Sequence, residues 1–306
     1  MSVGAPAARS RANVGAWAGA LAFTWWGFFP VYFRLQPDVS PPEVLANRIV
    51  WSLLLVAGVL TWQSRWSWLA PALRSRRIVA SFVASALLLS ANWMTYIWAV
   101  SNGHVVDASL GYFITPLVNV GLGFFLLGER PRRVQWIALA IAAAGVVWLT
   151  ASAGRLPWIG LVLGLSFGAY GLLRKVASLG AFEGLTLETM ILAPAALVGM
   201  AVWWGSSPTS FPGPDAATNV WLLGLGPATT LPLVLFAVAA RRLSMTTLGL
   251  LQYLSPTIQF LLGVWLFHEP FSGARLVGFV LIWVALALYS LDGWVRRSPP
   301  VVVAET

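Results

Sequence analysis

Two ionisable residues lie inside long apolar stretches of this chain, where a charge is unfavourable. Arg48 stands in EVLANRIVWS and Glu188 in GLTLETMILAP. A charged side chain placed in a bilayer costs at least about 2.5 kcal/mol on the insertion scale, so it usually faces a partner or a hydrated cavity. An intramembrane cation can bind an anionic group of a substrate, and a carboxylate can carry a proton during transport. Arg48 and Glu188 are therefore candidates for substrate binding, and Glu188 also for coupling.

The two charges occupy equivalent places in an internal duplication, because positions 48 and 188 differ by 140 residues. The same offset relates Pro116 to Pro256, Gly123 to Gly263 and Glu129 to Glu269. We expect Arg48 and Glu188 to approach each other between the two halves and to line a substrate cavity. The alternative is that each side chain extends to its nearer membrane interface, since both lie within two turns of a predicted helix end.

A second group of candidates combines polar and aromatic residues near prolines that interrupt helices. A proline removes one intrahelical hydrogen bond and frees a carbonyl, and we expect helix kinks at Pro116 and Pro256. The residues predicted to line a cavity near the membrane midplane are Asn92, Trp93, Tyr96, Tyr112, Asn119, Thr230, Gln252 and Tyr253. A lone Asn or Thr more often makes an interhelical hydrogen bond, so the clustering carries this prediction. Trp25 and Trp26 are expected to serve packing and the membrane interface.

Composition places these residues in a membrane protein. Of 306 residues, 58% are hydrophobic and 9% are charged, and the mean hydropathy is +0.79. A soluble chain carries about a quarter charged residues. There is no cysteine, and the sequence contains neither a phosphate-binding loop nor a metal-ligand or catalytic cluster. We therefore expect no cofactor, no metal and no enzymatic activity, although a membrane enzyme stays as a weaker alternative.

Ten apolar runs are long enough to cross a hydrocarbon layer about 30 Å thick as helices. They cover 14–33, 44–62, 78–100, 105–127, 134–151, 156–173, 185–204, 220–240, 246–267 and 274–291. The predicted fold is an all-α membrane protein of ten transmembrane helices in two inverted five-helix repeats. The whole chain, 1–306, forms a single membrane domain, with the repeats at 14–151 and 156–291 and cytoplasmic tails at 1–12 and 293–306.

The basic residues predict the orientation. With a cytoplasmic N-terminus, fifteen of the 19 Lys and Arg residues fall in cytoplasmic segments and three on the other side, and Arg48 lies within a span. Positive residues resist translocation, so both termini are predicted to be cytoplasmic. This distribution follows the topology, and it argues against nucleic-acid binding despite the net charge of +9. The lipid bilayer is the expected partner, and the oligomeric state is left open between a monomer and a homodimer.

Several motifs together resemble one family over about 15–292. The motifs are LANRIVWS, NWMTYIWAVSNGH, ASLGYFITPLVN, SFGAYGLLRK, LETMILAP, GPATTLPLVLFAVAARR and LGLLQYLSPT. They resemble the RarD family, in the EamA group of the drug/metabolite transporter superfamily. The resemblance implies a multi-pass protein of the bacterial inner membrane with an alternating-access cavity. It also implies efflux of a small metabolite or drug, driven by an ion gradient such as protons or by exchange.

The expected function is therefore secondary active export of a small metabolite or drug-like compound. Uptake and flipping of a lipid-linked substrate are alternatives within transport. A non-transporting membrane partner of another protein is a weaker alternative, because a scaffold has no need of two symmetric access states. The substrate and the coupling ion cannot be read from the sequence.

Overall fold

The computed structural model describes residues 4–35, 39–102, 105–153, 158–203, 211–213, 215–266 and 273–296. Within these ranges the chain is all-helical, without strands. The helices are α1 (Gly4–Gly27), α2 (Phe29–Arg34), α3 (Pro41–Trp62), α4 (Leu69–Arg74), α5 (Arg76–Ser101), α6 (Val105–Leu127), α7 (Arg133–Ala153), α8 (Trp158–Val176), α9 (Ala181–Trp203), α10 (Ala216–Arg242), α11 (Met245–Gln252), α12 (Leu254–Trp265) and α13 (Gly273–Arg296). Parts of both predicted tails, 1–3 and 297–306, lie outside the described residues.

Seven of the described segments are long and apolar enough to cross a membrane. They cover 12–33, 41–62, 76–99, 133–152, 158–176, 181–203 and 216–242. Two shorter apolar helices cover 111–127 and 276–289. The chain is thus a multi-pass helical membrane protein, because helices satisfy most backbone polar groups where water is absent.

Two of the predicted spans are interrupted in the structure, each next to a proline. α1 ends at Gly27 and α2 begins at Phe29, with Pro30 in the first turn of α2. α11 ends at Gln252 and α12 begins at Leu254, with Pro256 in its first turn. Pro256 has no N–H for the carbonyl of Gln252, which explains a break at this place. Pro116 differs, because α6 continues through it.

The helix contacts form one bundle with two main cores. α3 packs against α9 and α10, α1 packs against α10, α11 and α12, and α8 packs against α5 and α6. The larger core fills the space between these helices. α13 packs against α7, and their core includes Ala142 and Ile282. This second core lies beside the main bundle, against α6 and α11.

Polar contacts tie together one end of the bundle, where α3 and α8 end and α5 and α9 begin; we call it the basic end. Arg65 pairs with Glu183 at 2.5 Å, and the Lys175 ammonium donates to the Leu243 carbonyl. Glu129 accepts from the backbone N–H groups of Met245 (2.7 Å) and Thr246 (3.2 Å), so it caps α11. Its carboxylate thereby stabilises the positive end of a helix in the other half of the chain.

Candidate functional site

A partly open cavity lies between α1, α2, α3, α5, α6 and α8 and the break between α11 and α12. It is displaced toward the end opposite the basic end, because its lining comes from the last turns of α5 and the first turns of α3, α6 and α8. Six of the residues predicted to bind substrate line it, namely Arg48, Asn92, Trp93, Tyr96, Tyr112 and Gln252. The remaining lining residues are Phe23, Trp26, Phe29, Phe33, Gly111, Thr115, Leu163, Phe167 and Ser255.

Arg48 is the charged residue of this lining. It lies two turns into α3, whose start is fixed by a capping box between Ser40 and Glu43. The side chain is 5% exposed, and its Nε donates to Thr229 Oγ1 at 3.0 Å. Its guanidinium carbon lies 4.5 Å from the centre of the Trp93 ring, within range of a cation–π interaction. Packing and this hydrogen bond therefore hold the cation in the wall of the cavity.

The uncharged polar groups of the lining are largely engaged with protein atoms. Asn92 Nδ2 donates to the Leu163 carbonyl and to Ser166 Oγ, both at 3.0 Å. Gln252 Oε1 accepts from Asn119 Nδ2 at 3.0 Å. The hydroxyls of Thr115 and Ser255 donate to the Gly111 and Phe23 carbonyls. These bonds fix the polar side chains, so the wall is preorganised.

Aromatic side chains make up most of the cavity wall. Trp26 and Phe167 meet edge to face with ring centres 5.5 Å apart, and Tyr96 and Tyr112 do so at 6.0 Å. Trp26 was expected to serve packing or the interface, but it lines the cavity. Sequence reasoning also missed the lining phenylalanines Phe23, Phe29, Phe33 and Phe167. Their signal was faint, because phenylalanine also occurs on exposed helix faces, as at Phe124 and Phe125 of α6.

Three predicted cavity residues lie behind the wall. Asn119 supports Gln252 through their hydrogen bond. Tyr253 is buried in the core beside α13, and its hydroxyl donates to the Phe113 carbonyl at 3.3 Å. Thr230 is buried next to Thr229 on α10, and its hydroxyl has no hydrogen-bond partner among the described residues. None of the three is part of the lining.

Glu188 lies elsewhere, in a buried pair with Arg174. Arg174 Nη1 lies 3.6 Å from Glu188 Oε1, and the two side chains are 1% and 0% exposed. Ser85 donates to the same carboxylate. Glu188 therefore pairs with Arg174 instead of approaching Arg48. The physical reason is that α3 begins at one end of the bundle and α9 at the basic end, so equivalent positions in the two helices lie at different depths.

Arg174 directly follows the predicted span 156–173, among the basic residues predicted to be cytoplasmic, but it lies in the last turns of α8 with its side chain in the protein interior. Its Nη2 donates to the Gly180 and Ala181 carbonyls. The guanidinium also lies 5.6 Å from the centre of the Phe82 ring. Among the described residues there is no group of acidic or histidine side chains that could hold a metal ion.

A bundle of apolar helices around a mixed polar and aromatic cavity, with buried charges, defines a membrane transporter. The sequence pattern of the EamA-like transporter family matches 13–151 and again 156–291. The chain belongs to the EamA-like transporter family. An uncharacterized transporter of Pseudomonas aeruginosa is 45% identical over 287 residues, covering 92% of this chain and 95% of that protein.

Relatives that carry the RarD name confirm the resemblance drawn from the motifs. Protein RarD of Escherichia coli K12 is 40% identical over 271 residues, which cover 89% of this chain and 92% of that protein. The chloramphenicol-sensitive protein RarD of P. aeruginosa is 32% identical, covering 87% and 88%. A crystal structure with a TM-score of 0.69 and 19% identity covers 93% of this chain and 99% of that chain, and it shares the fold.

Proposed function

We propose that the protein is a secondary active exporter that moves a small metabolite or drug-like compound across the bacterial inner membrane by alternating access. The observation that carries this proposal is the aromatic cavity containing Arg48, a buried cation with a hydrogen-bonded polar wall. A cavity between helix bundles is where transporters hold their substrates. We assign substrate binding to the lining residues, with Asn119, Thr230 and Tyr253 positioning them from behind.

Ten transmembrane helices in two inverted repeats, 14–151 and 156–291, are part of this proposal. If α1 and α2 correspond to α8, α3 to α9, α5 to α10, α6 to α11 and α12, and α7 to α13, then exchanging the halves preserves the principal helix pairs. The pairs α3 with α9, α6 with α11 and α7 with α13 map onto themselves, and α1 with α10 maps onto α8 with α5. This symmetry and the two successive matches of the family pattern support the repeats.

The different packing of the two ends supports alternating access. At the basic end, the two halves are joined by contacts of Arg65 with Glu183, Ser85 with Glu188 and Glu129 with Met245. Toward the other end, the position equivalent to Glu188 is Arg48, and it borders a cavity instead of a closed ion pair. Of these two equivalent places, that of Glu188 is closed and that of Arg48 is open. A rocking motion of the halves would open the first and close the second. With both termini cytoplasmic, the basic end is the cytoplasmic end.

A comparison of metabolites tests the export function. We expect cells that overexpress the protein to accumulate at least one small compound outside, and cells that lack it to retain that compound inside. Untargeted metabolite profiles of both strains and of the parent, taken inside and outside the cells, measure this. Accumulation inside the overexpressing cells would make the protein an uptake system, and flux of a chemically altered product from liposomes would indicate an enzyme.

Glu188 is proposed as the coupling residue, because a buried carboxylate can bind and release a proton as its surroundings change. Its Oε2 has no hydrogen-bond partner among the described residues. We expect Glu188→Gln to abolish the response of liposome flux to an imposed pH gradient while substrate exchange continues. Glu183→Gln, on the same helix and paired with Arg65, should keep the response. An equal response in the Glu188→Gln protein would exclude Glu188 from coupling and favour exchange.

A further inference from the structure

We propose that the cavity selects organic monoanions, with a carboxylate or a similar anionic oxygen group on Arg48 and a flat apolar body between the aromatic walls. This inference rests on the proposed transport function for the role of the cavity. It adds the chemical class of the compound, which neither the family nor the relatives specify.

The first observation is that Arg48 has no counter-ion among the residues that the structure describes. Among the described residues the ion pairs join Arg65 to Glu183, Arg132 to Asp292 and Arg174 to Glu188. Arg48 is in none of them, although its side chain is 95% shielded from solvent. The described residues of the cavity lining include no Asp or Glu. A buried charge normally has a partner of opposite sign, so the partner of Arg48 is expected to come from the bound compound.

The geometry around Arg48 leaves its outer guanidinium nitrogens for that partner. Nε is bonded to Thr229, and the described contacts of the rest of the group are with the faces of Trp93 and Phe29. A ring face holds the plane of a guanidinium without using its N–H donors. The terminal N–H groups of an arginine match the two oxygens of a carboxylate. Arg48 is therefore held in position to bind one carboxylate.

The Gln252 side-chain amide, the second donor in the lining, also favours a compound with a hydrogen-bond acceptor. Gln252 Oε1 accepts the Asn119 hydrogen bond, which leaves the Gln252 NH2 group as its contribution to the cavity. Asn92 uses its NH2 group on Leu163 and Ser166. Of these three side chains, Arg48 and Gln252 thus keep donors for a compound, and both recognise an acceptor.

The walls define the rest of the compound. Trp26, Phe167, Tyr96 and Tyr112 surround the space with ring faces and edges, which favour a planar apolar body. One cation neutralises one negative charge. A dianion such as a phosphate monoester would keep an unpaired charge in an aromatic cavity, which is unfavourable. The cavity therefore selects against dianions and against cations.

Binding to matched pairs of acids and amides tests the inference. The probes are benzoate, 2-naphthoate and indole-3-acetate, each with its neutral amide, titrated by calorimetry into the full chain in lipid nanodiscs. We expect at least one acid to bind at least about tenfold more tightly than its amide, because a hydrogen bond to a charged group exceeds a neutral one. Equal affinity for every pair, or no binding of any acid, would overturn the proposal.

Arg48 variants locate the selectivity. We expect Arg48→Met, which keeps an unbranched apolar side chain, to lose the preference for the acid, because the acid loses more affinity than the amide does. Arg48→Lys keeps the charge and should keep the preference. If Arg48→Met retains the full preference for the acid, Arg48 is not the receptor and the inference fails. An unfolding midpoint of Arg48→Met close to that of the wild type shows that the variant is folded.

Counterflow in liposomes separates this inference from the transport function. Flux of the acids with tight binding supports both statements. Tight, Arg48-dependent binding of the acids without any flux leaves the monoanion selectivity standing and contradicts transport. Flux of the amides at the rate of the acids leaves transport standing and overturns the selectivity.

Discussion

Glu188→Ala is expected to destabilise the folded protein by about 3–5 kcal/mol, because it leaves the Arg174 guanidinium buried without a carboxylate. Arg174 is 1% exposed, and its Nε and Nη1 have no hydrogen-bond partner among the described residues. Its electrostatic partner is therefore Glu188. The measurement is the unfolding midpoint of purified protein in detergent under increasing denaturant. A variant as stable as the wild type would contradict a buried ion pair at this place.

Two controls separate the ion pair from other causes of instability. Replacing both residues, Arg174→Met with Glu188→Leu, should recover most of the loss, because an apolar pair of similar volume needs no counter-charge. Arg65→Ala removes the half-exposed partner of Glu183, whose pair is more hydrated. Arg65→Ala should lower the free energy of unfolding by less than about 1 kcal/mol. Failure of the double variant to recover would show that Glu188 acts through Ser85 and its other neighbours.

Arg174 illustrates what the sequence could not reveal. Two cations after an apolar run predict a loop at the cytoplasmic surface. The same rule predicts the orientation of the chain in the membrane. Whether one of them turns inward depends on space in another helix. A Cβ atom at Gly184 would lie 1.8 Å from Arg174 Nη1 and 2.8 Å from the Phe82 ring. The guanidinium fits here because residue 184 is a glycine and has no side chain. The residues around Arg174 in the sequence do not show that this space is free.

For a related reason, only part of the cavity wall could be predicted from the sequence. Polar residues in an apolar helix are unfavourable in lipid, so Arg48, Asn92 and Gln252 could be found from the sequence. Aromatic residues are favourable both in lipid and in the interior, and membrane helices therefore give little contrast between the two faces. Phe23, Trp26 and Phe33 could not be assigned to the cavity for this reason. The duplication did define equivalent positions, but the depth of Glu188 required the direction of its helix.

Gly168→Ala is expected to lower the free energy of unfolding by about 1–3 kcal/mol, because α6 and α8 pack closely at this position. The added Cβ would lie 2.5 Å from Val118 Cγ1 and 3.4 Å from Asn119 Oδ1. Val118 has a short branched side chain, so relief requires the two helices to separate. The unfolding midpoint measures the cost. Because Asn119 holds Gln252 in the cavity wall, we also expect weaker binding of whichever acid probe binds the wild type.

Gly121→Ala is the matched control, in the same helix pair but without close contact. A Cβ at Gly121 meets no atom within 4 Å, and alanine is the better helix former by up to about 1 kcal/mol. Its stability should equal or exceed that of the wild type. The structure distinguishes the two glycines by the distance to the neighbouring helix. If both variants lose equal stability, the contact of Gly168 with Val118 does not set the spacing of α6 and α8.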